Sequence, residues 1–264
     1  MKLGCIPICY FRELLHERSM SLVQWSERAA ALGLDGIELY KPYLQEEDEE
    51  SLLKAAETIR RSGLDISMYT SYADFGDPDE ADTAEQIDSV RRDCDSAVIV
   101  GTELVRVTAG HWRPGVPHEE SLRNVAKGLK ACLDYAEGRG VQLALEDHPT
   151  IGTHIPDFLT ILESVGDARL KVNLDTSNPM EAGESAVELA RHVADRVVHV
   201  HASDQSRDLQ HQVVGEGVVD FPAIFATLKA AGYDGYVSLE AGGARGDEGI
   251  ADGIAYVRRV WASA

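Results

Sequence analysis

With 264 residues, the chain has the size of one (β/α)8 barrel and enough length to bury a substantial core. A formal charge of -20 with a pI near 4.7 repels a phosphate backbone, which excludes nucleic acid as a partner. The opening MKLGCIPICY is too short in apolar residues for a secretory leader, and no later run approaches the roughly 20 apolar residues that cross a bilayer. The expectation is a cytoplasmic chain with no membrane partner. Cys5, Cys9, Cys94 and Cys132 show neither C-x-x-C nor finger spacing, so they read as small buried hydrophobes.

In chain order, β-rich runs alternate with segments of helical period, the pattern of parallel strands joined by helical crossovers. The predicted strands are Leu3–Cys9, Gly36–Tyr40, Asp65–Thr70, Leu104–Thr108, Val141–Glu146, Leu170–Asp175, Val197–His201 and Tyr236–Glu240. Helical stretches between them include Leu22–Leu32, Glu47–Arg61, Glu119–Arg139, Ala182–Ala194 and Pro222–Ala231. Gly33, Gly63, Gly140 and Gly232 stand where left-handed caps would end such helices. Three joints read almost alike, as LGLDGIEL, SGLDISM and AGYDGYVSLE. The acidic run Glu46–Glu50 suits a solvated first helical turn. No linker or low-complexity tract divides the chain, so residues 1–264 are read as one α/β domain, a (β/α)8 TIM barrel.

Strand parity carries the functional argument, because side chains two apart share a face. Leu143 and Leu145 oppose Gln142, Ala144, Glu146 and His148; Val172 and Leu174 oppose Lys171, Asn173 and Asp175. Val198 and Val200 oppose His199 and His201, and Val237 and Leu239 oppose Tyr236, Ser238 and Glu240. The helix-facing side of a barrel must be apolar, which sends the polar set inward, where ionisable groups are costly unless paired or bound to a cation. Glu146, Asp175, His201 and Glu240 each end one of these four strands, and strand carboxyl ends are where such barrels keep their chemistry. They are therefore the candidate ligands of one divalent metal ion. The oxygen-rich set with one imidazole suits Mn2+ first, with Co2+, Mg2+ or Zn2+ as alternatives. His199, one layer below His201, reads as support or core filling.

The segments LALEDH, NLDTSN, HVHASD and VSLEA, which contain Glu146, Asp175, His201 and Glu240, resemble the metal motifs of the xylose-isomerase-like TIM barrels, the sugar phosphate isomerase/epimerase family. Gly215-Glu216-Gly217, followed by Val218, Val219, Asp220 and Phe221, resembles that family's glycine-bearing loop before the penultimate crossover helix. The resemblance spans the chain. It implies that Glu146 and Glu240 exchange protons with substrate as well as bind the ion, and that the substrate is a small carbohydrate or cyclitol. It also implies self-association into a homo-oligomer or pairing with a partner subunit. His148, on the face of Glu146, is a further candidate base because an imidazole titrates near operating pH.

Two departures bear on the reaction. The family's Asp-x-x-His after the sixth strand ends here in Asn178, and the lysine of its His-x-Lys-Asp motif is replaced by Ser203. Arg207, in the next loop, is a candidate contact for a substrate hydroxyl or anionic group, and Asn178 is assigned to substrate binding. His111 and Trp112 are further substrate-binding candidates, with Tyr10, Glu38, Tyr40 and Tyr69 as additional pocket residues. The loop Ser71–Asp79 and the segment Gly110–Pro117 are read as parts of a lid.

The leading expectation is an isomerase or epimerase that removes a proton beside a carbonyl, with a metal-stabilised enediolate. The alternative is a lyase that expels a β-substituent, as in inosose dehydratases or enzymes that cleave C-glycosides. An apurinic-site endonuclease on this fold would need more histidine ligands and a basic surface; a noncatalytic sugar-binding protein or assembly subunit with a vestigial metal site is a further reading, against which the intact set of four argues.

Overall fold

The computed structural model describes residues 1–264. Its eight strands are β1 (Lys2–Ile6), β2 (Gly36–Tyr40), β3 (Asp65–Thr70), β4 (Leu104–Val107), β5 (Gln142–Glu146), β6 (Lys171–Asp175), β7 (Val197–Ala202) and β8 (Tyr236–Glu240). All paired neighbours run parallel, in the order β1-β8-β7-β6-β5-β4-β3-β2. Between β1 and β2 the cylinder is closed by Asp35. Its backbone N–H donates to the Leu3 carbonyl at 2.9 Å, and its carboxylate accepts from the Leu3 N–H at 2.8 Å. The result is a nearly closed single-domain (β/α)8 TIM barrel.

The crossover helices are α1 (Leu22–Ala31), α2 (Glu49–Arg61), α3 (Glu80–Val100), α4 (His118–Gly138), α5 (Ile155–Val165), α6 (Ala186–Val193), α7 (Phe221–Ala230) and α8 (Gly246–Ser263). Their starts follow local chemistry. Ser21 and Gln24 form a reciprocal capping box on α1, and the Asp48 side chain accepts the Ser51 N–H at the start of α2. Glu49 and Glu50 then lie against the positive end of that helix. No helix is long and apolar enough to cross a membrane.

Two element boundaries differ from the sequence expectation by more than two residues. The first strand ends at Ile6 rather than Cys9, because Pro7 has no N–H for the ladder and the chain turns into short helical turns at Ile8–Tyr10 and Arg12–His16. The sixth crossover helix starts at Ala186 rather than Ala182. Pro179 sets off a 3-10 turn over Asn178–Ala182, Gly183 ends it at φ 74°, and Ser185 caps the helix that follows.

The outward faces of the strands, including Leu143, Leu145, Val172, Leu174, Val200, Val237 and Leu239, are buried beneath the helices. Each such side chain contributes about 1.5–3 kcal/mol when taken fully out of water. Cys5, Cys94 and Cys132 are buried free thiols, as expected of small hydrophobes, whereas the free thiol Cys9, expected to be buried too, is only partly so because it lies in the short turn after Pro7. The inside of the barrel is polar instead, lined by Glu38, Thr70, Arg106, Glu146, Asn173, Asp175, His199, His201 and Ser238, all buried.

Two loops at the strand carboxyl ends are fastened by single aspartates. Asp74 accepts the Gly76 and His111 N–H groups at 3.1 Å and pairs with Arg113 at 2.8 Å, while Phe75 is fully buried. The segments 71–79 and 110–117, read from sequence as lid parts, are thus tied to each other. Asp204, just past β7, accepts N–H groups from Gln205, Gly215, Gly217 and Val219 at 2.8–3.2 Å. A Cβ on Gly217 would lie 2.1 Å from the Asp204 carboxylate, which explains the glycine there. Asp204→Ala should therefore lower stability by at least about 1.5–3 kcal/mol, the worth of one hydrogen bond to a charged group. Urea denaturation checks this, and an unchanged midpoint would contradict the anchoring role.

Candidate metal centre

β5, β6, β7 and β8 deliver Glu146, Asp175, His201 and Glu240 to one place, with one potential ligand atom from each lying within 4.8 Å of the others. Glu146, Asp175 and His201 are fully buried, whereas the Glu240 side chain keeps 13% exposure. Glu240 therefore faces the mouth of the barrel.

The donor atoms are poorly satisfied by one another. His201 Nδ1 lies 2.6 Å from Glu146 Oε1 and 3.0 Å from Glu240 Oε1. Even so, His201 Nδ1, Glu146 Oε1 and Asp175 Oδ2 have no hydrogen-bond partner, so the 2.6 Å approach is out of line for a hydrogen bond. Buried polar atoms without partners are rare and costly. Here three of them converge, and a divalent cation bound by carboxylate oxygens and one imidazole nitrogen would satisfy all three.

The second oxygen of each buried acid is fixed by protein. Glu146 Oε2 pairs with Arg106 Nη1 at 2.8 Å. Asp175 Oδ1 accepts the Ser177 N–H at 2.7 Å, the Asn178 N–H at 2.8 Å and the Ser203 hydroxyl at 2.7 Å. Each carboxylate thus has one oxygen held and one left for the centre, the arrangement that orients a ligand before a cation arrives.

Electrostatics separate the acids. Burial opposes ionisation of Glu146, but Arg106 and His201 outweigh it and hold the carboxyl down to about 2. Asp175 is pushed up to about 7 by burial and then by the negative charge of Glu240 and Glu146. Burial and the neighbouring Asp175 raise Asp147 well above the carboxylate range, and its Oδ1 accepts the Asp175 N–H at 2.8 Å. Burial lowers the basicity of His201, yet Glu38, Glu146 and Glu240 together raise it well above the usual imidazole value.

The other residues singled out from sequence are spread around this cluster. His148 is partly buried, with its Nδ1 2.8 Å from the Pro149 carbonyl and its ring 5.3 Å from that of Tyr72. A carbonyl only accepts, so Nδ1 carries the hydrogen and the neutral ring keeps its lone pair on Nε2. Asn178 contributes its backbone N–H to Asp175. Arg207 is exposed in the loop closed by the Gln205–His211 bridge.

His111 is 59% exposed and bound to Asp74 at 3.0 Å, and Trp112 stacks on His118 at 4.5 Å. Both are held by loop contacts rather than by the four-residue cluster. Of the additional pocket candidates, Tyr10 is partly buried and donates its hydroxyl to Asp247 at 2.7 Å, and Tyr69 is fully buried. Tyr40 lies against Phe11 and Tyr72 near His148. Glu38 lies under His201 rather than at the mouth.

Sequence reading passed over Arg106. It is 1% exposed, sits in β4, and lies under the Tyr72 ring, with its guanidinium carbon 4.2 Å from the ring centroid. The available signal was an arginine inside the apolar run LVRV, whose burial demands an anionic partner.

Two outcomes follow. Arg106→Met leaves Glu146 charged and unpaired, so the metal-free protein should lose about 3–5 kcal/mol of unfolding free energy; equal stability in urea would contradict the pairing. A cation must displace the proton that Asp175 holds below about pH 7. Mn2+ affinity measured by calorimetry should therefore rise as pH increases through that value, and a flat profile would contradict it.

Residues 26–260 match the Xylose isomerase-like TIM barrel family. The chain is 29% identical over 185 residues to the uncharacterized protein MJ1311 of Methanocaldococcus jannaschii, covering 64% of this chain and 62% of that one. It is 27% identical over 143 residues to an inosose dehydratase of Clostridium beijerinckii, covering 47% of this chain and 48% of that one. These alignments span about half to three fifths of the relatives' lengths. Among solved structures, a D-tagatose 3-epimerase-like protein superposes with a TM-score of 0.82 at 22% identity, over 100% of this chain and 99% of the other. The chain belongs to the xylose isomerase-like TIM barrel family.

Proposed function

We propose that this protein is a divalent-metal-dependent isomerase or epimerase acting on a small sugar, keto-sugar or cyclitol by moving a proton on a carbon beside a carbonyl. The observation that carries the reading is the convergence of Glu146 Oε1, Asp175 Oδ2 and His201 Nδ1, all buried without hydrogen-bond partners, beside the partly exposed Glu240. Glu146, Asp175, His201 and Glu240 would hold the ion, with Mn2+ first among the candidates. When bound, such an ion polarises a substrate oxygen and so acidifies the neighbouring C–H.

The two glutamates are suited to different work. Glu146 is locked onto Arg106 and held at about 2, which makes it a weak base and a firm anionic ligand. Glu240 has no arginine partner and faces the opening, so it is the residue proposed to take the proton. His148, with its lone pair on Nε2, is proposed as the group that exchanges a proton from the β5 side of the substrate. Asn178, Arg207, His111 and Trp112 remain proposed substrate contacts on the surrounding loops.

A lyase is the second reading, supported by the 27% identity to an inosose dehydratase. The same proton removal would then be followed by loss of a β-substituent, with His148 as the group proposed to protonate it.

Both are tested by incubating the Mn2+-loaded protein in D2O with ketohexoses, inososes and 3-keto-glycosides. Deuterium at the carbon beside the carbonyl without a lost group supports isomerisation, and an unsaturated or cleaved product supports elimination. Glu240→Gln should reduce turnover by about 10²–10⁴-fold. Near-normal turnover in that variant, at equal metal content by elemental analysis, would remove Glu240 from proton transfer.

A further inference from the structure

Beneath the four converging donors lies another buried acid, Glu38, in the middle of β2. Its Oε1 is 3.0 Å from His201 Nε2 and 3.2 Å from His199 Nε2, and accepts the Ser238 hydroxyl at 2.5 Å. Its Oε2 accepts the Thr70 hydroxyl at 2.5 Å and lies 3.2 Å from His201 Nε2. Four donors from three other strands thus surround two oxygens, which suits the ionised, acceptor-only form of the carboxylate.

An acceptor at that position dictates where His201 keeps its hydrogen. With Nε2–H directed to Glu38, the lone pair of the neutral ring is on Nδ1, the atom beside Glu146 Oε1 and Glu240 Oε1. The ring plane is braced as well, because His199 meets it edge-on at 5.6 Å and is itself held by Glu38. A histidine free to rotate or to place its hydrogen on Nδ1 would present no lone pair to the centre.

Resting on the cation reading above, we propose that Glu38 is a positioning residue that fixes the tautomer and orientation of His201 so that Nδ1 is available to a divalent ion. Glu38 is not itself a ligand. Its function is to prepare one from the opposite side of the imidazole, across a barrel that joins residues 163 positions apart.

The test uses protein stripped with a chelator and titrated with Mn2+ by calorimetry, for the wild type, Glu38→Gln and Glu38→Asp. The 15N signals of the His201 ring are recorded in parallel with Zn2+. Glu38→Gln should weaken Mn2+ binding by about 10–100-fold, the usual cost of losing a partner behind a metal-bound histidine. The ring signals should change from one defined tautomer to a mixture. Glu38→Asp keeps the charge but withdraws it by one methylene, and should fall between the two. A folded Gln variant with unchanged affinity would overturn the proposal. So would weaker binding with unchanged ring signals, because Glu38 would then act only as a distant charge. If the Gln variant does not fold, wild-type affinity and ring signals in Glu38→Asp would overturn it. Failure of the wild type to take up any cation would instead overturn the underlying reading of the centre, before any variant is compared.

Discussion

Charge enclosed in a barrel has to be balanced within a few ångströms, because little water reaches it. Here Glu38, Glu146, Asp175 and Glu240 share the interior and mouth with one guanidinium, Arg106, and one strongly basic imidazole, His201. Even with His201 protonated, acid outnumbers base. The imbalance appears in Asp175, which holds its proton to about pH 7, and in the unpartnered polar atoms at the top of the barrel. The apolar outer faces of the strands leave these groups nowhere else to go, so the polar interior is a direct consequence of how the strands are covered.

That interior is assembled in layers. Glu38, His199, Thr70 and Ser238 form a hydrogen-bonded floor, and Glu146, Asp175, His201 and Glu240 stand above it. Side chains held this way lose little further freedom when a ligand arrives, and such preorganisation is what gives an active site its electrostatic effect. The loops around the mouth are constrained too. Asp74 ties the loop after β3 to the one after β4, and Asp204 gathers the backbone of the glycine loop after β7. The chemistry is thus mounted on strand ends while backbone N–H groups hold the rim, a division of labour that suits a fold used for many reactions.

Two glutamates of identical chemistry are made unlike by their neighbours. Arg106 commits Glu146 to the ionised state, whereas Glu240 has no such partner and retains contact with the opening. In the proposed reading, environment rather than residue type would separate an anionic ligand from a proton-transfer group.

Much of this was written in the linear sequence. Alternation with period two placed Glu146, Asp175, His201 and Glu240 inward at strand ends, and glycine-terminated helices between strands marked the barrel, because both signals arise from contacts along one segment. The limits of β1 and α6 were set by local turns at Pro7 and Asn178–Ala182 that periodicity does not register. Only the folded chain could reveal the partners of Arg106 and Glu38. Arg106 meets a partner 40 residues away and Glu38 one 163 residues away, and no spacing rule connects residues whose proximity comes from closing a cylinder. Local sequence determined which residues point inward, whereas closure of the barrel determined which of them meet, because distance across its interior is independent of distance along the chain.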